Sequence, residues 1–210
     1  MLRGTAIVCA IAALACSAQA SAAAAPDVTA AAGPTAAPGP KYVPGKTAAP
    51  APRSAGCKGA DVIASDEPSR RRAKQVVLCL VNRERAARRI AILRVSPSLA
   101  RAAARYSTSM VQLQYFAHRS PAGDDVRQRA ARTGYLRHGR ATLLGETLAW
   151  GMDAMATPTG LVTAFMRSPG HRRTMLSRRY RDIGVGIALG APAPDATGNA
   201  ATLTIDFGRR

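Results

Sequence analysis

Two histidines and one glutamate carry the chemistry that this sequence can offer. His118 lies in Tyr115-Phe116-Ala117-His118-Arg119-Ser120-Pro121, Glu146 in Leu144-Gly145-Glu146-Thr147-Leu148, and His171 in Ser168-Pro169-Gly170-His171-Arg172. The chain has three histidines, and these two stand next to turn-forming Pro or Gly, where a turn can aim a side chain into a cleft. Two imidazoles and a carboxylate are a donor set for a divalent metal. With three protein ligands, a zinc ion keeps one position open for water. The same groups can act as a general base and its orienter. In a third arrangement Glu146 hydrogen-bonds both rings and simply ties distant segments together. No nucleophile accompanies them, because Ser120, Ser168 and Thr147 each have a turn or capping role. A hydrolase built here would need metal-activated water. His138 reads as a solvated loop residue, Trp150 as core or a cleft wall, and Met152 and Met155 as core or loop filler.

The elements that must position these groups can be read from spacing. A first helix follows Ser65-Asp66-Glu67-Pro68, with Val76, Val77, Leu80 and Val81 on its apolar face. A second opens at Ser96-Pro97, a cap and then proline at the first helical position. Its Leu99, Ala102, Ala103, Tyr106, Met110 and Leu113 form one stripe, and the small alanines predict close packing against a neighbour. Asp124 or Asp125 caps a short third helix through Val126 and Ala130, and Gly134 stops it. Residues 141–151 suit an extended segment around Glu146. A fourth helix starts at Thr157-Pro158. Ser168-Pro169-Gly170 breaks its pattern directly before His171, leaving a turn of helix over residues 174–176. In Ile183–Leu189 the large residues alternate with Gly184, Gly186 and Ala188, so one strand face is nearly bare and open to close approach by a backbone or a ligand. Leu203, Ile205 and Phe207 alternate with Thr202, Thr204 and Asp206 in a second strand. Helices followed by an antiparallel pair predict an α+β domain.

Composition bounds the rest. Residues 1–20 have the form of a secretory signal: Arg3, an apolar run from Ala6 to Ala15, then Ala18-Gln19-Ala20 as a cleavage site. An uncleaved anchor or a lipid anchor on Cys16 are the alternatives. Residues 21–56 are rich in Ala and Pro and poor in large apolar residues, which predicts a disordered linker. The folded domain then covers residues 57–210. Signal cleavage leaves two cysteines, and in an exported chain Cys57 and Cys79 are expected to pair. No transmembrane segment is expected after cleavage. The net charge of +18 comes from 26 Arg and 4 Lys and favours anionic partners such as an envelope surface. With only 9 aromatic residues and the cations spread along the chain, a stacking platform for nucleic acid is not supported.

In order and spacing these motifs resemble the CAP superfamily (cysteine-rich secretory proteins, antigen 5 and pathogenesis-related 1 proteins), in its bacterial SCP-like branch. The resemblance rests on Leu80-Val81-Asn82-Arg83-Glu84-Arg85, Phe116-Ala117-His118-Arg119-Ser120-Pro121-Ala122-Gly123, Gly145-Glu146, Ser168-Pro169-Gly170-His171-Arg172, Ile183-Gly184-Val185-Gly186 and Asp206-Phe207-Gly208. It covers residues 75–208 and implies a three-layer α-β-α sandwich with a small antiparallel sheet. It also implies a cleft of two histidines and two acids, matched here by His118, Glu146 and His171, with no fourth residue evident. Thr147 and Thr174 stand where the family usually has Asn, and Phe165 where Trp is common. The resemblance implies a secreted or envelope-associated binding module for a lipid-like small molecule, envelope component or protein partner. The alternative is a metal-dependent peptidase or cell-wall hydrolase using the same cleft.

Overall fold

A computed structural model describes residues 56–136, 143–196 and 198–210. The signal-like segment, the linker up to residue 55 and His138 lie outside the described residues. The order of elements is α1 (Glu67–Ala86), β1 (Arg94–Val95), α2 (Pro97–Gln112), α3 (Val126–Arg132), β2 (Leu143–Met152), a 3₁₀ turn (Asp153–Ala156), α4 (Pro158–Arg167), α5 (Pro169–Met175), β3 (Asp182–Leu189) and β4 (Ala200–Arg209).

Helix starts follow the capping signals in the sequence. Asp66 accepts from the Ser69 backbone N–H at 2.8 Å, while the Ser69 hydroxyl accepts from the Asp66 N–H at 3.0 Å. Each satisfies a backbone donor that the first turn would otherwise leave orphaned. Asp125 and Gln128 repeat this exchange at α3. Ser96 caps α2 and Thr157 caps α4, each followed by proline. The same Ser-Pro signal at Ser168-Pro169 opens α5, so His171 sits in the first turn of a helix that runs from Pro169. The expected break falls at Ser168, whose backbone is extended between α4 and α5. The expected start of the next helix at residue 174 is corrected to Pro169, because proline at a first helical position starts a helix here as it does at residues 97 and 158.

The sheet has four strands in the order β1-β3-β4-β2. β4 is antiparallel to both β2 and β3. The two-residue β1 adds a parallel edge, through bonds from Arg94 N–H to Arg181 C=O and from Ser96 N–H to Ile183 C=O, both 2.9 Å. A two-residue strand has no periodicity to detect, so the sheet is mixed where an antiparallel one was expected.

Strand alternation sends Ile183, Ile187, Leu203, Ile205 and Phe207 to one face. There they form one buried cluster with Val76, Val77, Leu80 and Val81 of α1 and Leu161, Val162 and Phe165 of α4. The bare face of β3 receives a backbone. A Cβ at Gly184 would come within 2.2 Å of the Leu99 carbonyl carbon, and one at Gly186 within 2.1 Å of that of Ala103. Helix α2 thus lies directly on the sheet, and Ser107 donates to Gly186 C=O at 3.0 Å. Both faces of the sheet are covered, giving three layers, α-β-α. The Cys57–Cys79 disulfide joins the turn at residue 57 to α1, with Cα atoms 5.9 Å apart. No helix among the described residues is long and apolar enough to cross a membrane.

The close approach of α2 predicts a large cost for one methyl group. Gly186→Ala should destabilise the fold by about 3 kcal/mol, because the clash is with backbone that cannot rotate away. Thermal unfolding should show a fall of roughly 6–12 °C. An unchanged midpoint would mean that α2 is not seated on β3 as described.

Candidate functional site

Glu146 stands on β2, an edge strand, and alternation turns its side chain toward the α2 layer. That carboxylate is only 3% exposed, so it must be neutralised where it sits. One oxygen accepts from His118 Nδ1 at 2.7 Å. The other is ion-paired with Arg129 of α3. Arg129 is itself buried. It donates to Asp124 C=O at 2.8 Å and to His118 C=O at 3.2 Å, and its guanidinium lies 3.4 Å from the centre of the Tyr106 ring. Tyr106 in turn donates to Ala117 C=O at 2.6 Å. Burial pushes the Tyr106 phenol far above its ordinary range, against the opposing charge of Arg129, so it remains a neutral donor. These bonds pin the loop carrying His118 to β2, α2 and α3. The imidazole of His118 is left with most of its surface in solvent.

His171 belongs to a different set of contacts. It meets Phe165 edge-to-face, with ring centres 5.2 Å apart. Burial, and secondarily the charge of His118, hold its pKa below the ordinary histidine value. Among the described residues no hydrogen bond joins it to Glu146. The structure therefore brings His118 and Glu146 into direct contact and puts Arg129, not a second imidazole, on the remaining carboxylate oxygen.

That arrangement bears on metal binding. A divalent ion sharing Glu146 would have to displace or sit beside a guanidinium, and no group of three His, Cys, Asp or Glu among the described residues is placed to hold a metal. The residues present do not fit a zinc ion in this conformation.

A second acid does lie at Glu146. Asp206 is its direct partner across the β2–β4 ladder, is fully buried, and finds no hydrogen-bond donor for either oxygen. What faces it is another carboxylate. Burial first, and the charge of Glu146 second, raise the Asp206 pKa well above the usual carboxylate range, while Arg129 pulls the other way. One guanidinium, that of Arg129, faces both carboxyl groups, which favours the protonated form of Asp206.

The sequence model described as "CAP: Cysteine-rich secretory protein family" matches residues 78–199. This chain belongs to the CAP family. Two solved structures share the fold. One is an extracellular protein containing an SCP domain from Bacillus anthracis: 21% identity over 70% of this chain and 45% of that one, with a TM-score of 0.55. The other is an outer surface protein from Borrelia burgdorferi: 19% identity over 65% of this chain and 91% of that one, with a TM-score of 0.51. The CAP chain thus spans less than half the length of the Bacillus anthracis protein. No curated protein matches it.

The positions that depart from the usual CAP pattern have their own surroundings. Phe165 is fully buried and supports His171. Thr147 is buried with its hydroxyl unpartnered among the described residues, and Thr174 donates to Gly170 C=O at 3.2 Å. Trp150 is half-buried on β2, and Met152 and Met155 are partly exposed. Reading the sequence missed Arg129, Tyr106 and Asp206 as site residues. The available signal for Asp206 was a lone acid in a strand whose other polar members before its final arginine are threonines.

Two measurements test this electrostatic arrangement. In the span between the unfolded carboxyl value of about 3.9 and the raised folded value, the native state binds the Asp206 proton and the unfolded chain does not. That contribution is present at low pH and is lost as pH rises through the folded pKa. Asp206→Asn should remove it, so urea-denaturation curves should show the variant gaining stability over wild type as pH increases. A constant difference across pH 4–8 would show Asp206 to be ionised. Separately, Arg129→Met should cost about 3–5 kcal/mol by stranding Glu146, and Arg129→Met/Glu146→Gln should recover much of that loss. Additive losses would contradict the clamp.

Proposed function

We propose that this CAP protein is an exported binding module, with residues 1–20 as signal peptide, 21–56 as linker and 57–210 as the binding domain. Its ligand is a small, largely apolar molecule of the envelope or its surroundings. One observation carries this reading: a cavity of about 330 Å³ lies between α2, the loop after His118 and α3. That is the size of a small-molecule site. Ala102, Leu113, Pro121 and Ala122 supply apolar wall, and Arg105 and Ser109 supply polar anchors. Tyr106 and Arg129 also line it, so the cavity shares two walls with the clamp on Glu146. Leu113 is 62% exposed and adds its apolar surface to the wall of this cavity.

The two structural relatives, an extracellular protein and an outer surface protein, support an exported location. In this reading His118 and Glu146 support the Tyr106 and Arg129 walls of the cavity, His171 lies outside its lining, and none of the three acts as a catalyst. Glu146 is committed to His118 and Arg129, and among the described residues no nucleophile is bonded to them. The arrangement gives the hydrolytic alternative no supporting observation.

Native mass spectrometry on protein purified from its own source tests the proposal. The expected result is a non-covalent adduct in the small-lipid mass range. In Leu113→Asp, which puts a charge on the apolar wall, affinity for that adduct should fall roughly tenfold or more. Protein that always flies at its bare mass, or an adduct indifferent to Leu113→Asp, would refute the cavity as the binding site.

A further inference from the structure

A second concave surface lies away from this cavity. Residues 167–181 contain six arginines and no acid. Although the cations are spread along the sequence, the fold gathers three of these six around one cleft of about 700 Å³, lined by Pro169, Arg172, Arg173, Leu176, Ser177 and Arg179. Among the described residues, none of the three guanidiniums has a hydrogen-bond or ion-pair partner. The acid nearest in sequence, Asp182, is otherwise engaged: it accepts from Tyr135 at 2.7 Å.

The floor of the cleft is fixed from below. Arg85, fully buried, donates to Met175 C=O at 2.7 Å and to Ser177 C=O at 3.0 Å. It thereby sets the backbone of the turn from which Ser177 and Arg179 project. A buried cation stabilises the turn, and three exposed cations crowd its outer side. Like charges so placed repel one another and draw in a counter-ion. Guanidinium forks match the oxygens of phosphate in pairs, and one carboxylate would satisfy only one such fork.

We propose that Arg172, Arg173 and Arg179 form a binding site for a multiply charged phosphate anion, separate from the cavity beside His118. Such an anion can be a soluble polyphosphate or the headgroups of an anionic lipid surface. The recognition chemistry is the same, with two or three guanidinium forks closing on neighbouring phosphate oxygens and Ser177 supplying a hydroxyl. The proposal does not rest on the binding-module reading, because the two sites share no residue.

The test uses the full mature chain with two probes. Tripolyphosphate is titrated by calorimetry, and vesicles containing phosphatidylglycerol in phosphatidylcholine are used in flotation. Wild type should bind at least one probe, with an affinity that weakens as salt is raised. The variant Arg172→Gln/Arg173→Gln/Arg179→Gln should lose at least about tenfold. A charge-matched control, Arg72→Gln/Arg94→Gln/Arg101→Gln, should stay within about twofold of wild type, and circular dichroism should show both variants folded. Binding of tripolyphosphate that also competes with vesicles identifies a general phosphate site, and vesicle binding alone identifies a lipid headgroup site. Equal losses in the two variants would reduce the effect to net charge and overturn the proposal, as would failure of both probes to bind wild type.

Discussion

Helix α2 rests on β3 with backbone against backbone, and most of the molecule's polar organisation follows from that contact. Gly184 and Gly186 leave no side chain between the layers, so the helix takes the space where a solvated sheet face would otherwise be. A sheet covered on both sides buries β4 from Ala200 to Gly208. Thr202, Thr204 and Asp206 are all fully buried for this reason, although their alternation with Leu203, Ile205 and Phe207 looks like that of a half-wet strand. The threonines can be satisfied locally, as Ser107 does by bonding Thr204 at 2.9 Å. A carboxylic acid in the same row cannot, and it falls opposite Glu146.

Two carboxyl groups under a helix with one guanidinium within reach have few stable charge states. Among the described residues Arg129 is the one guanidinium on this pair, and the raised pKa of Asp206 leaves the negative charge on Glu146. Glu146 is the better anion, since it has both Arg129 and His118 as donors while Asp206 has neither. The same guanidinium also holds the carbonyls of residues 118 and 124 and stacks on Tyr106, so the loop geometry and the charge state share one residue. Neutral Asp206 then supports the pair instead of competing with it.

Much of this was legible in the sequence where local rules apply. Caps at Asp66, Ser96, Asp125 and Thr157, the stripe of α2 and the alternation of β3 and β4 each depend on residues within a few positions of one another. The Cys57–Cys79 bridge followed from there being two cysteines left to pair. The start of α5 was misplaced because Pro169 follows another helix directly, and proline reads as a stop from one side and a start from the other. Glu146, His118 and His171 stood out by type, but which of them meet depends on register between β2 and β4 and on the docking of α3. No local pattern encodes that Arg129, seventeen residues before Glu146, turns inward while its many fellow arginines face water. Asp206 was hidden for a related reason: its burial depends on a helix placed by glycines on a different strand.

The clamp also changes what the cavity beside it can do. Tyr106 and Arg129 present one side to Glu146 and the other to the cavity, and both are held by bonds to the backbone of residues 117, 118 and 124. An occupant pressing on either wall therefore acts on the loop that carries His118. That loop is the part of the site with its imidazole in solvent, whereas Glu146 and Asp206 are sealed beneath α2. An occupant of the proposed site would thus be coupled to the position of His118 through two side chains. This coupling requires neither a metal nor a reaction at the buried carboxyl pair. It accounts for a histidine and a glutamate in contact at a concave surface as parts of a rigid wall, with His118 as the group the wall presents to solvent.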